Sequence, residues 1–244
     1  MPFFVPFFNS FQGSTVIEGI SMTQQVSRAS IRRMFAVETP RRPMSPETQQ
    51  GRWEKSSAAC VGFLRHAFGV TVDAGKISAP PVVPGKTTLV VVPAGLTVSQ
   101  LISTMRKNRI FMTVQMPNST SVECQTDALE EIQNDRPNTA TYAVWMDGRR
   151  VNPDDAYAGY SATRARENGV KGVTLIEYLL RLFAAHQATN RIPDHDHVSI
   201  CSGSQFGASV PIVKYATVTG VAVRFVSKDW CYHKARVREV SALP

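Results

Sequence analysis

The sequence predicts an α+β protein, and three features carry that prediction. The run Thr88-Leu89-Val90-Val91-Val92 stops at Pro93 and has the composition of a buried strand. Thr174-Leu175-Ile176-Glu177 opens an apolar-periodic stretch that reaches Ala188, with the signature of a capped helix. Beyond Pro193, short β-like runs replace helical spacing. Helices and strands distributed in this way give small mixed or antiparallel sheets with two or three packed helices.

Taken in order, residues 1–56 read as a flexible arm. The opening MPFFVPFFNSF is apolar, but Pro2, Pro6 and Asn9 interrupt it and no basic region precedes it, so neither a secretion signal nor a membrane anchor is expected. Met22 offers a second start. Residues 22–56 are rich in Gln, Ser, Pro and paired arginines, with too little apolar matter to offset the entropy of ordering.

An α/β scaffold is expected over 57–174. Cys60, Val61, Leu64 and Phe68 recur at helical spacing within Ser57 to Val72, and the prolines of SAPPVVPG end that helix. After the valine strand, Thr97 is placed to cap a helix whose apolar face is Val98, Leu101, Ile102 and Met105, with Arg106 and Lys107 suited to its C-terminus. Ile110 to Gln115 and Thr141 to Met146 read as strands, the second closed by a turn at Asp147-Gly148. The acidic segment Asp127 to Asp135 between them is expected to be solvated. Residues 175–244 then hold the long helix and a β-rich segment with strands at His197 to Cys201, Val210 to Tyr215 and Gly220 to Val226.

The 244 residues are 43% hydrophobic and 19% charged, which excludes a wholly disordered, collagen-like or coiled-coil chain. Cys60, Cys124, Cys201 and Cys231 are scattered with no Cys-x-x-Cys pair, so a reduced, cytoplasmic protein without structural disulfides is expected. The net charge of +8 is spread: nine basic against five acidic side chains over residues 1–80, five against five over 81–140, and thirteen against nine in the remainder. A balance of that kind permits nucleic-acid binding without specifying it.

Catalytic motifs fail their spacing tests. Gly85-Lys86-Thr87-Thr88 ends like a phosphate loop, but the first glycine would fall on Pro80 and a strand follows where a helix is required. Ser202-Gly203-Ser204 is no nucleophile elbow, since position 200 is Ile200. His186, on the last turn of the long helix, reads as a partner of its dipole. Pro193-Asp194-His195-Asp196-His197 would present His195 and His197 on one face if extended, with Cys231 downstream as a further zinc ligand, and otherwise reads as a polar loop.

One region has the composition of a recognition surface. Lys214, Tyr215, Arg224, Lys228, Asp229, Trp230, Tyr232 and His233 fall on short strands and their connecting loops, where large polar-tipped side chains supply both contact area and hydrogen bonds. Phe225 is expected to pack with Val221 and Val223, with Arg224 on the opposite face. Arg236 and Arg238 share a strand face and either cap that surface or pair with Asp229.

The stretch Gly172 to Val240 resembles a family of bacterial proteins of candidate-phylum type. The likeness rests on Gly172-Val173-Thr174-Leu175, Cys201-Ser202-Gly203-Ser204, Val210-Pro211, Val221 to Val226 and Arg236-Val237-Arg238, and extends upstream through TLVVVPAGLTVSQLI and NTATYAVWMDG. Gln205 stands where that family usually has arginine, and Tyr215 near a place where tryptophan is common. The family carries no established reaction. Its C-terminal layout is similar to C-type-lectin-like display domains, including the variable ends of diversity-generating retroelement targets, which implies a binding role on fold-level analogy.

The expected function is therefore a non-enzymatic recognition module for a protein or small ligand, without cofactor or membrane partner. Two other readings stand beside it: nucleic-acid binding by the basic arm and the C-terminal arginines, and a metal-dependent hydrolase using His195, His197 and Cys231.

Overall fold

The computed structural model describes residues 46–83, 85–117, 127–148, 154–216 and 220–242. Most of the predicted N-terminal arm, with Met22 and the apolar opening, lies outside the described residues.

Helix α1 spans Pro46–Phe68 and so begins eleven positions before the predicted Ser57. The reason is tertiary. Trp53 is buried on the principal core, while Arg52 lies over the Trp145 ring at 4.7 Å and donates to the Lys86 carbonyl at 3.0 Å. Packing of this kind holds a helix whose composition alone would not. Over residues 46–56 the expected flexible arm is helix instead.

Strand β1 (Lys86–Val92) is buried along its whole length. Helix α2 (Val98–Lys107) starts at Thr97, which exchanges side-chain and backbone hydrogen bonds with Gln100, a reciprocal cap that satisfies two amides of the first turn. Strands β2 (Met112–Gln115), β3 (Gln133–Asn134) and β4 (Tyr142–Asp147) follow. The acidic segment is only half as expected: Glu130 and Glu131 are exposed, but Leu129 and Ile132 are buried. A short helix α3 (Ala162–Glu167) precedes α4 (Leu175–Thr189), which has the predicted Thr174/Glu177 cap.

The C-terminal strands are β5 (Val198–Ile200), β6 (Ser204–Gln205), β7 (Ser209–Ala216), β8 (Gly220–Ser227), β9 (Ala235–Val237) and β10 (Val240–Ser241). They form a five-stranded sheet in the order β2-β8-β7-β5-β9, in which β2 runs parallel to β8 and β9 parallel to β5. The other sheets are β1-β4-β10 and β3-β6, both antiparallel.

The principal core takes side chains from Trp53 through Ala242, so the predicted 57–174 and 175–244 segments share it. A smaller cluster on the other face of the five-stranded sheet unites Ala162, Ala165, Val198, Ile200, Val210, Ile212, Ala235 and Val237. Among the described residues no helix is long and apolar enough to cross a membrane.

Candidate functional site

The connection from β8 to β9 is built by local hydrogen bonds and tied to α3. Trp230 N–H donates to the Ser227 carbonyl at 2.9 Å, and Ala235 N–H to the Tyr232 carbonyl at 2.8 Å. The Thr163 amide and hydroxyl both donate to the Lys228 carbonyl, and the same hydroxyl meets the Asp229 carboxylate. On this scaffold the rings of Trp230 and Tyr232 stack with centroids 6.0 Å apart, and His233 follows 4.4 Å from Tyr232. Trp230 is half-buried against the smaller cluster; Tyr232 is 40% exposed.

The predicted surface residues do not form one patch. Lys214 pairs with Ala222 and Arg224 with Ile212 across β7 and β8, so both cations, each exposed, stand on the sheet face of the smaller cluster. Tyr215 points to the other face, beside Val213, Val221 and the half-buried Phe225 of the principal core. Alternation along β7 separates it from Lys214. Lys228, Asp229, Tyr232 and His233 are exposed in the loop.

The arginines assigned to phosphate contacts are occupied elsewhere. Arg238 is 1% exposed; its Nε lies 3.2 Å from Asp154, its Nη1 3.6 Å from Asp194, and its Nη2 donates to the Asp147 carbonyl. Arg236 is buried and pairs with Asp155 at 2.8 Å, so neither meets Asp229. Burial alone would lower the Arg238 pKa, but Asp194 and Asp154 outweigh it and the value rises. An Arg whose charge is neutralised in the interior is not a phosphate ligand, so that assignment is corrected.

The zinc reading meets a geometric correction too. Residues 193–197 form a turn, with Asp194 at φ +60°, rather than an extended strand, so the expected common face for His195 and His197 is lost. His195 Nε2 lies 3.1 Å from Asp196, Asp194 is buried with Arg181, and among the described residues no group of three or more His, Cys, Asp or Glu side chains is placed to hold a metal ion.

Sequence reasoning missed the charged interior altogether. Lys86 Nζ contacts Asp154 at 2.8 Å and Glu239 at 2.7 Å; Arg181 contacts Asp194 at 2.8 Å; Tyr178 donates to Asp194 and accepts from Ser199. For Asp194, burial alone would raise the pKa, but Arg181, Arg238 and the donated hydrogen bonds prevail and lower it. The phosphate-loop lookalike is thus a turn at Gly85 that delivers a structural lysine.

A concavity of about 530 Å³ also escaped the sequence reading. It lies on the Tyr215 side of the sheet, and its lining includes Arg109, Phe111, His186, Arg191, His195 and Tyr215. The available signal was Asn108-Arg109, a bulky residue where a helix usually ends in glycine.

Comparison with protein-family models, curated proteins and solved structures finds no match to this chain.

Proposed function

We propose that the chain is a non-enzymatic recognition module that binds a protein partner through the β8–β9 connection. The observation that carries this reading is the ring series Trp230, Tyr232 and His233, in which a half-buried Trp230 anchors the exposed Tyr232 and His233 on a loop hydrogen-bonded to α3. Rings fixed before contact lose little rotational freedom when a partner covers them, and each offers apolar area with a polar edge. Lys228 and Asp229 flank the rings, and Lys214 and Arg224 extend the surface across the sheet. This reading keeps the display-type platform implied by the layout of Gly172 to Val240. With Cys60 and Cys201 as free buried thiols and Cys231 free at the surface, a reducing cytoplasm is the proposed location.

The test is selection of a random peptide library on the full chain, followed by binding of the enriched peptides to Trp230→Ala and Tyr232→Ala variants. Enriched peptides are expected to lose about tenfold or more in affinity, as hot-spot aromatics do. Equal binding to folded variants would move the surface elsewhere.

A further inference from the structure

The concavity on the Tyr215 side is assembled from the ends of elements that the fold brings together. Helix α2 ends at Lys107 and delivers Arg109, Ile110 and Phe111; helix α4 ends at Thr189 and delivers Asn190, Arg191 and Ile192; His195 and the β7–β8 strands complete the wall. Gln187 donates to Asn108 at 3.1 Å, which ties the two helix ends. Gly220 sits at φ +68° with its hydrogen facing the Phe111 backbone; a Cβ there would come within 2.9 Å of Phe111 Cβ, so glycine is what lets β8 close this wall.

Three properties of the lining point to one ligand chemistry. The eleven described residues that line it include no Asp or Glu, and the carboxylate recorded against one of them is Asp196, 3.1 Å from His195 Nε2. Arg109 and Arg191 are both exposed, and neither guanidinium has a hydrogen-bond or ion-pair partner among the described residues, whereas the half-buried Arg136 and the buried Arg181, Arg236 and Arg238 are paired. Phe111 is 64% exposed, the most exposed large hydrophobic side chain among the described residues, and its ring stacks on nothing there. The floor beneath is apolar, with Ile110 and Val221 buried.

Arg109 adds a conformational argument. It occupies the left-handed region at φ +63° just beyond the α2 C-cap, a place where glycine avoids the strain a Cβ brings. Complementing the helix dipole needs only a cation in the last turn, which Arg106 and Lys107 already supply. An exposed arginine at a strained position, unpaired among the described residues and lining a cleft, is placed for a ligand.

We infer that this cleft binds a nucleotide unit, with Arg109 and Arg191 on the phosphate and Phe111 and Tyr215 against the base. The volume lies within the range of small-ligand sites. Arginine pairs phosphate in a forked geometry, and any base can stack on an aromatic ring. His186 is a wall residue: burial lowers its pKa and so disfavours its charged form, and its Nδ1 is enclosed without a hydrogen-bond partner among the described residues. The site is separate from the Trp230 surface, which packs against the opposite face of the sheet.

The full chain is titrated by calorimetry with adenosine monophosphate, a ten-nucleotide single-stranded RNA and inorganic phosphate, at about 50 and about 200 mM salt. Saturable nucleotide binding that weakens with salt is expected, with affinity reduced about tenfold or more by Arg109→Gly and by Phe111→Ala and unchanged by Trp230→Ala. Arg109→Gly relieves the positive φ, so its melting temperature holds or rises and lost binding is not lost folding. Affinity about tenfold higher for the strand than for the monophosphate identifies a polynucleotide ligand, and comparable affinity a free nucleotide. No binding of either nucleotide at low salt, phosphate binding as tightly as the nucleotides, undiminished binding by Arg109→Gly or Phe111→Ala, or loss with Trp230→Ala would each overturn the assignment.

Discussion

Lys86 Nζ lies 2.8 Å from Asp154 Oδ1, 68 positions further along the chain, and both side chains are almost wholly buried. The same ammonium meets the Glu239 carboxylate at 2.7 Å, and Asp154 in turn meets Arg238 at 3.2 Å. One lysine therefore joins the entry of β1, Asp154 at φ +50° ahead of the short helical turn Asp155–Tyr157, and the approach to β10. Desolvated charges of this kind hold a fold only while every partner is present.

Lys86→Met is expected to cost about 3–5 kcal/mol, because it leaves Asp154 buried beside a single cation. Urea denaturation measures it. A midpoint equal to wild type would mean that the interior is wetter than its packing.

Asp194 sets an acid limit on stability. Its folded pKa lies below the ordinary value near 3.9, so the unfolded chain takes up the proton first and stability falls with pH only below about pH 4. Asp194→Asn, which leaves Arg181 and Arg238 short of a counter-charge, is expected to lower stability at neutral pH and flatten that acid limb. Chemical denaturation between about pH 2 and pH 7 tests both; an unchanged acid limb would remove Asp194 from the linkage.

Gly172 and Gly203 meet backbone to backbone, where Gly203 N–H donates to the Val173 carbonyl at 2.9 Å and a Cβ on Gly203 would strike the Gly172 carbonyl oxygen. Gly203→Ala is expected to destabilise by about 1–3 kcal/mol, since backbone and not a flexible side chain must move. A thermal melt within a degree of wild type would contradict this contact.

The thiols should separate by burial. Cys60 is fully buried and its pKa is pushed up to about 12, and Cys201 is likewise raised by burial, whereas Cys231 is exposed. Iodoacetamide on the folded chain is expected to alkylate Cys231 while sparing Cys60 and Cys201 until denaturant is added. Peptide mass spectrometry reads the sites, and early labelling of Cys60 would show that α1 lifts from β1.

Tyr232→Ala should change stability by no more than about 0.5 kcal/mol, because the side chain is 40% exposed and its stacking partners are on the same loop. A larger loss would make the ring series part of the core and remove it as a contact surface.

Local signals determined much of this chain. Thr97 and Thr174 announce their helices because a cap is satisfied within four residues, and the runs 88–92, 141–146, 210–215 and 220–226 announce strands because β-branched and aromatic residues suit a pleated surface. The α+β class and the opposed faces of Arg224 and Phe225 follow from periodicity alone. Tertiary structure decided the rest. Where α1 begins depended on Trp53 finding the core, and whether an arginine was spent inside or left facing a cleft depended on carboxylates far away in sequence: Arg238 found Asp154 and Asp194, while Arg109 and Arg191 found none among the described residues. Burial and charge pairing are properties of distance in space, and a linear pattern encodes them only where the partners are near neighbours along the chain.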